Sequence, residues 1–326
     1  MNKNYCPICG RQHKTKKFTF NSKLKLISSN FKKINNKKNY YVCKNFEFIY
    51  AKQTAKRRKI INDIYKDFTF KNNLIKPSRE IIIANEIKKK FRKNMSVLEI
   101  GPGNGELINC LSKFKNIINI DAYDINKNKF FNLNKVKKFK NLFINLNKIY
   151  HKYDLVIMNQ VFFHLDKLDK TMNKISELLD DNGHLFLITP NPFKHKVIYY
   201  VYDIFSISSK KNIISYLNRY NLNLKNDLSY LLKNQISLIF KKNFSNRVRG
   251  EKFISKYKKT QISFASEISK LKHKKITING MGLKGNFIFN NYKKSVFQIK
   301  DEFRKINKVF KKNFKKKSKL FELKTY

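Results

Sequence analysis

The chain has 326 residues, 41% of them apolar, and its 72 Lys and Arg against 22 Asp and Glu give a formal charge of +50. That length can bury a sizeable core and divide into two or three domains. No apolar run reaches the ~18 residues that a membrane span needs, and the opening "MNKNYCPICG" lacks the apolar core of a secretion signal, so a cytoplasmic protein is expected.

The charge alone points toward nucleic acid or an anionic surface. A competing account is compositional. Lys, Asn, Ile, Phe and Tyr dominate, and all have AT-rich codons, although this does not explain the scarcity of acids. The positive residues are spread along the chain, apart from a denser tail at "KKNFKKKSK", which favours the compositional account over a focused polyanion site.

Residues 1–50 hold Cys6, Cys9 and Cys43, with Cys110 alone further on. Clustered cysteines without a secretion signal point to metal rather than disulfides. Cys6-x2-Cys9 is half of a four-ligand zinc knuckle, and Cys43 opens the other half. The second turn reads Cys43-Lys-Asn-Phe46, so a thiolate is missing where one is expected. His13 is the candidate fourth ligand; the alternative is a degenerate site without metal. Residues 51–95 read as basic and helical, with Pro77 opening an amphipathic run to Phe91.

From Met95 onward strands and helices alternate. "SVLEI", "IINIDAYDIN", "NLFINL", "YDLVIMNQ" and "HLFLITP" read as strands. "GELINCLSKF", "LDKTMNKISELL" (ending at Gly183) and "KKNIISYLNRY" read as helices. The alternation predicts an α/β fold with a mostly parallel sheet. Residues 250–273 read as a connecting helix leading to a strand at 275–279.

Glycine is scarce, nine in all, yet three fall in "GPGNG" at 101–105 and three in "GMGLKG" at 280–285. The first turn follows a strand and opens a helix, and its glycines allow positive φ and close approach of a ligand. Asp124 lies about twenty residues further on, at the end of the next strand, where an acid can take both hydroxyls of a ribose. With Glu99 before the turn and "YDLVIMNQVFFHL" after it, residues 75–225 resemble the class I S-adenosylmethionine (SAM)-dependent methyltransferases.

The resemblance implies a Rossmann-like SAM-binding domain. Glu99, Gly101, Gly103 and Gly105 would back the methionine part, Asp124 would hold the ribose, and Asn145 would reach the adenine. Asn159 and Gln160 would face the sulfonium. His164, in the loop after the fourth strand, is a candidate base or a half-exposed loop residue. His151, His184, His195 and His273 are read as surface or structural.

The N-terminal cysteines, the central domain and "GMGLKGN" together resemble the three-part sugar C-methyltransferases, which act on nucleotide-linked ketosugars. Lys284, Gly285, Asn286 and Asp301 carry the C-terminal part of that resemblance. It implies a small N-terminal cysteine-knuckle domain at 1–50, a SAM-binding domain at 51–245 and a small C-terminal α/β half-domain at 246–326. The second glycine loop then either permits a tight turn or holds a phosphate. One departure bears on chemistry. Where that family has a His-Glu-His-x-x-Tyr group, this chain has "YYVYDIFSIS", leaving Tyr202 and Asp203 as candidates. Methyl transfer to a small-molecule acceptor is therefore expected, with an RNA methyltransferase and a non-catalytic SAM-fold protein as rivals.

Overall fold

The computed structural model describes residues 5–12, 16–19, 26–29, 32–34, 38–66, 79–91, 93–126 and 133–243. Beyond these it describes 259–260, 263–264, 266–267, 271, 276–279, 287 and 296–300. His13, Lys284, Gly285, Asn286 and Asp301 lie outside the described residues, as does most of the segment expected to form the connecting helix. Among the described residues no helix is long and apolar enough to cross a membrane.

The N-terminal part contains β1 (Lys16–Thr19), β2 (Leu26–Ile27), β3 (Lys33–Ile34), β4 (Asn39–Cys43) and β5 (Phe48–Ala51). Helices α1 (Ala55–Lys66) and α2 (Arg79–Lys90) follow. The central part runs β6 (Met95–Ile100), α3 (Glu106–Leu111), β7 (Ile117–Tyr123), β8 (Phe139–Phe143), β9 (Tyr153–Asn159), α4 (Leu168–Leu178) and β10 (Leu179–Pro190). It continues through β11 (Ser206–Ile207), α5 (Lys210–Asn218), β12 (Leu222–Asp227) and β13 (Gln235–Lys242). β14 (Ile276–Asn279) and β15 (Val296–Lys300) pair in parallel.

The main sheet has seven strands in the order β12-β13-β10-β9-β6-β7-β8. β10, β9, β6, β7 and β8 are parallel, and β13 is antiparallel to both of its neighbours. The chain winds outward from β6 through β7 and β8, then returns to lay β9 against the other side of β6. The crevice at the carboxyl ends of β6 and β9 is thus the topological switch point, where ligands of open α/β sheets bind.

Alternation along each strand feeds two cores. Leu155 and Ile157 face the apolar sides of α2 and α3 (Ile83, Ile87, Leu107, Leu111). Val156 and Met158 face Met172 and Ile175 of α4 and Leu217 of α5. In α4 the buried Leu168, Met172, Ile175 and Leu178 recur at helical spacing, which is why this segment is a helix with one face inside.

Two features depart from the expected elements. α4 ends at Leu178 rather than at Gly183, and β10 begins at Leu179. The exposed Asp180, Asp181 and Asn182, the last at φ 65°, break the register between Leu179 and His184. β12 and β13 extend the sheet where no strands are expected; β12 is a mostly exposed edge whose polar sequence hides it.

A second sheet, β1-β4-β5-β11, joins distant parts of the chain, because β11 pairs with β5. The cysteine turn is tied to the central part as well. Asp169 N–H donates to Pro7 O at 3.1 Å, and Arg219 Nη1 donates to Cys9 O at 2.8 Å.

Candidate functional site

The turn after β6 has the backbone its glycines predict. Gly101, Gly103 and Gly105 sit at φ 67°, 60° and 76°, left-handed values that side chains rarely adopt. A Cβ at Gly103 would meet nothing within 4 Å, so its backbone faces open space. Gly105 caps α3, and a Cβ there would run into the side chain of the buried Leu133.

Glu99 and Asn159 end neighbouring strands at this crevice. Glu99 is 1% exposed, and Glu99 Oε2 and Asn159 Oδ1 are both buried without a hydrogen-bond partner among the described residues. Burial, with Glu80 nearby, pushes the Glu99 carboxyl up to about 8. A buried acceptor left bare costs about 1–3 kcal/mol, so two of them beside an open glycine turn fit a cationic, donor-bearing ligand. SAM, with its ammonium and sulfonium, has that chemistry.

Asp124 follows β7 half-buried, and its Oδ1 accepts the Asn126 N–H at 2.9 Å. Asn145 is exposed after β8, its side chain accepting the Asn147 N–H at 3.0 Å. Gln160 sits at φ 62° and donates to Gln235 Oε1 at 2.7 Å, so its amide already has a partner on β13.

His164 and Asp203 meet. His164 Nδ1 is 3.1 Å from the Asp203 carbonyl oxygen and 3.5 Å from Asp203 Oδ2. Two residues with no sequence signal complete the group. Tyr65, near the end of α1, donates its hydroxyl to Asp203 Oδ2 at 2.9 Å, and the Tyr65 phenol oxygen is 3.0 Å from His164 Nδ1. The Ser29 N–H donates to Asp203 Oδ1 at 2.8 Å, and Ser29 Oγ donates to Oδ2. Burial opposes the Asp203 charge, but His164, Ser29 and Tyr65 outweigh it and hold the carboxyl below its usual range. Burial lowers the His164 imidazole from its ordinary value against the pull of Asp203.

Tyr202 is turned elsewhere. Its ring lies 5.6 Å from the buried guanidinium of Arg57, whose Nη2 donates to the carbonyls of Tyr202 and Ile204 at 3.0 and 3.2 Å. Lys38 donates to Val201 O at 2.6 Å in the same interior. Its ammonium pKa is pushed well down by burial, and Arg57 adds to this. These cations satisfy carbonyls of an irregular buried stretch of chain.

A crevice beside His164 is lined by Phe48, Phe162, Thr189, Ile198, Ser206 and Ser208 among others, none of its lining residues charged.

The three thiols of Cys6, Cys9 and Cys43 are buried, with sulfurs all within 4.8 Å of one another. This is close to the spacing set by three ~2.3 Å Zn–S bonds, so the donor set fits a soft cation. Phe46 does not close the site: its ring packs edge-on against Tyr216 at 5.2 Å. His151 and Tyr153 are bound to Asp121 at 2.8 Å each, a separate buried-acid cluster.

Residues 79–228 match a family model described as a methyltransferase domain. No curated protein matches the chain. Among solved structures, the chain is similar to the 1,6-didemethyltoxoflavin-N1-methyltransferase of Burkholderia thailandensis, bound to 1,6-didemethyltoxoflavin and S-adenosylhomocysteine. The identity is 11% over 65% of this chain and 98% of that one, with TM-score 0.48. It is similar also to the N-methyltransferase NodS of Bradyrhizobium japonicum in complex with S-adenosylhomocysteine, at 10% identity over 59% and 100% of the chains, TM-score 0.44. A SAM-dependent methyltransferase from Aquifex aeolicus shows 17% identity over 59% and 100%, TM-score 0.43. The segment that matches the methyltransferase-domain model contains the glycine turn, Asp124 and the end of β9.

Proposed function

We propose that the protein transfers a methyl group from SAM to a small-molecule acceptor, a nucleotide-linked sugar or natural-product intermediate, with His164 as the base. The observation that carries this reading is the buried His164–Asp203 pair, with His164 in the segment just after β9. SAM, when bound, supplies an electrophilic methyl on a sulfonium. Glu99 and Asn159 would receive its ammonium, and the 101–105 backbone would cradle its methionine part. Asp124 would hold its ribose, with Asn145 toward the adenine and Gln160 beside the sulfonium. His164 would take the acceptor's proton while the acceptor's electron pair displaces sulfur from the methyl carbon, and the electron pair of the broken sulfur–methyl bond would leave with S-adenosylhomocysteine. Asp203 stabilises the resulting imidazolium. Tyr202, in this reading, helps shape the buried wall rather than moving a proton.

Burial of the aromatic side chains near His164 favours a small-molecule acceptor over RNA. Phe162, Tyr199, Tyr200 and Tyr202 are at most 3% exposed, so they are not free to stack an unpaired base. The reading also takes 1–50 as the cysteine knuckle, 51–245 as the catalytic domain and 246–326 as the C-terminal half-domain.

Two measurements test it. Calorimetry should show S-adenosylhomocysteine binding, weakened by about 1–3 kcal/mol in Asp124→Ala, the usual loss for a hydrogen bond to a charged group. Labelled SAM incubated with a metabolite extract should label a small molecule, and not RNA at about 150 mM salt, where nonspecific phosphate contacts are weak. Stoichiometric labelling of one RNA position would overturn the acceptor class.

Cys6, Cys9 and Cys43, with His13, would hold a structural zinc. Purified protein should then contain about one equivalent of zinc. Because β4 and β5 carry both Cys43 and the crevice residue Phe48, chelation should lower the melting temperature. A folded, metal-free protein indifferent to chelators would show the site to be degenerate.

A further inference from the structure

We infer that Tyr65 and Ser29, contributed from outside the matched methyltransferase segment, are positioning residues that fix His164 in the tautomer with its proton on Nδ1 and its Nε2 free to accept. This rests on the reading of His164 as the base, but it is argued from geometry that needs no bound cofactor.

A backbone carbonyl oxygen can only accept. At 3.1 Å from the Asp203 carbonyl, His164 Nδ1 must therefore carry the hydrogen. The alternative tautomer would set a ring lone pair against a carbonyl lone pair. The Tyr65 hydroxyl has one proton to give. Asp203 is held ionised by its partners, and Oδ2 at 2.9 Å is the stronger acceptor. The Tyr65 phenol pKa is raised well above its ordinary value by burial and by Asp203, so that proton stays in place. The phenol oxygen then turns a lone pair toward His164 Nδ1–H at 3.0 Å. The Nδ1 hydrogen is thus shared between the Asp203 carbonyl oxygen and the phenol oxygen, and the phenol hydrogen goes to the carboxylate.

The direct Nδ1–Oδ2 separation of 3.5 Å is too long for a good hydrogen bond. The phenol thus links the Asp203 carboxylate to the ring, while the Asp203 backbone carbonyl contacts Nδ1 directly. Ser29 completes the arrangement by donating twice to the carboxylate, which fixes its plane. His164 Nε2 makes no hydrogen bond among the described residues, and the side chain keeps 19% exposure while Asp203 keeps none. The free nitrogen is therefore the one left for an acceptor. Tyr65 also touches the loop after β7, since Asn126 Nδ2 donates to Tyr65 O at 3.3 Å and Asn126 N–H donates to Asp124. The positioning group and the expected ribose site thus share a residue.

The test is long-range proton–nitrogen NMR on the full chain carrying labelled histidine, with His164 assigned by its loss in His164→Gln. At neutral pH without cofactor, His164 should be neutral with its proton on Nδ1, the minority form of histidine in water. In Tyr65→Phe the Nδ1–H keeps only the Asp203 carbonyl, so its sharp signal should shift and be partly lost to solvent exchange, with the fold retained by circular dichroism. Should that variant not fold, Asp203→Asn removes the charge that orients the phenol and should give the same loss. Wild-type His164 protonated on Nε2, or an Nδ1–H signal unmoved in a folded variant, overturns the inference. Failure to bind S-adenosylhomocysteine would instead sink the methyltransferase reading and leave the tautomer result standing.

Discussion

Gly105→Ala is expected to destabilise the protein by about 2–5 kcal/mol, whereas Gly103→Ala should cost only the backbone share of that, about 1–2 kcal/mol, and abolish cofactor binding. Both positions have left-handed φ, 76° and 60°. For a residue with a Cβ, that conformation costs roughly 1–2 kcal/mol. The difference lies in what the new methyl meets. At Gly105 it collides with the side chain of the fully buried Leu133, which must shift within the core. Overpacking of this kind adds about 1–3 kcal/mol. At Gly103 it meets nothing within 4 Å, and that open space is where the methionine part of the cofactor would lie. Denaturant midpoints and S-adenosylhomocysteine calorimetry on the two variants separate the effects. If Gly103→Ala binds the ligand as the wild type does, the turn is not the cofactor cradle.

The contrast between that turn and the His164 group shows what a linear reading can reach. Glu99, Gly101, Gly103 and Gly105 act through consecutive backbone, and Asp124 follows one strand later, so periodicity and residue type suffice to find them. The group around His164 is assembled by tertiary packing. Tyr65 is 99 residues from His164, and Ser29 is 174 from Asp203. Neither residue stands in a pattern that marks it. Tyr202 and Asp203 are neighbours in sequence, yet the ring of one lies over Arg57 while the carboxylate of the other faces Ser29 and Tyr65. Both stand in a turn, where the chain changes direction between one side chain and the next, so a shared stretch of sequence is poor evidence of a shared site. The strand at 235–242 escaped notice for another reason. It is antiparallel to the strands beside it and so falls outside the strand–helix alternation that announces the parallel part of the sheet.

Glu99 should make cofactor binding and stability depend on pH in opposite directions. Its carboxyl, pushed up to about 8 by burial, is largely protonated in the free protein at neutral pH. A cationic ligand favours the ionised form, so binding expels the proton. Affinity for S-adenosylhomocysteine should then rise with pH, by up to tenfold per unit, and level off above about 8. Stability of the free protein runs the other way. The unfolded carboxyl ionises near 4.5 while the folded one still holds its proton, so the folded state binds more protons and loses stability as pH rises toward 8. His164 and His184 oppose this lower down. Both are depressed by burial, His184 to about 4, so each adds stability as pH rises toward their unfolded value of 6.5. Above about pH 7 the two histidines are largely deprotonated in both states, and among these three groups Glu99 dominates the change up to about 8. In that window the melting temperature should fall, and Glu99→Gln should remove the slope. Calorimetry in two buffers of different ionisation enthalpy counts the protons released on binding. A count near one for the wild type at pH 7, and near zero for Glu99→Gln, is the expected result. Zero for both would mean that Glu99 does not face the bound cation.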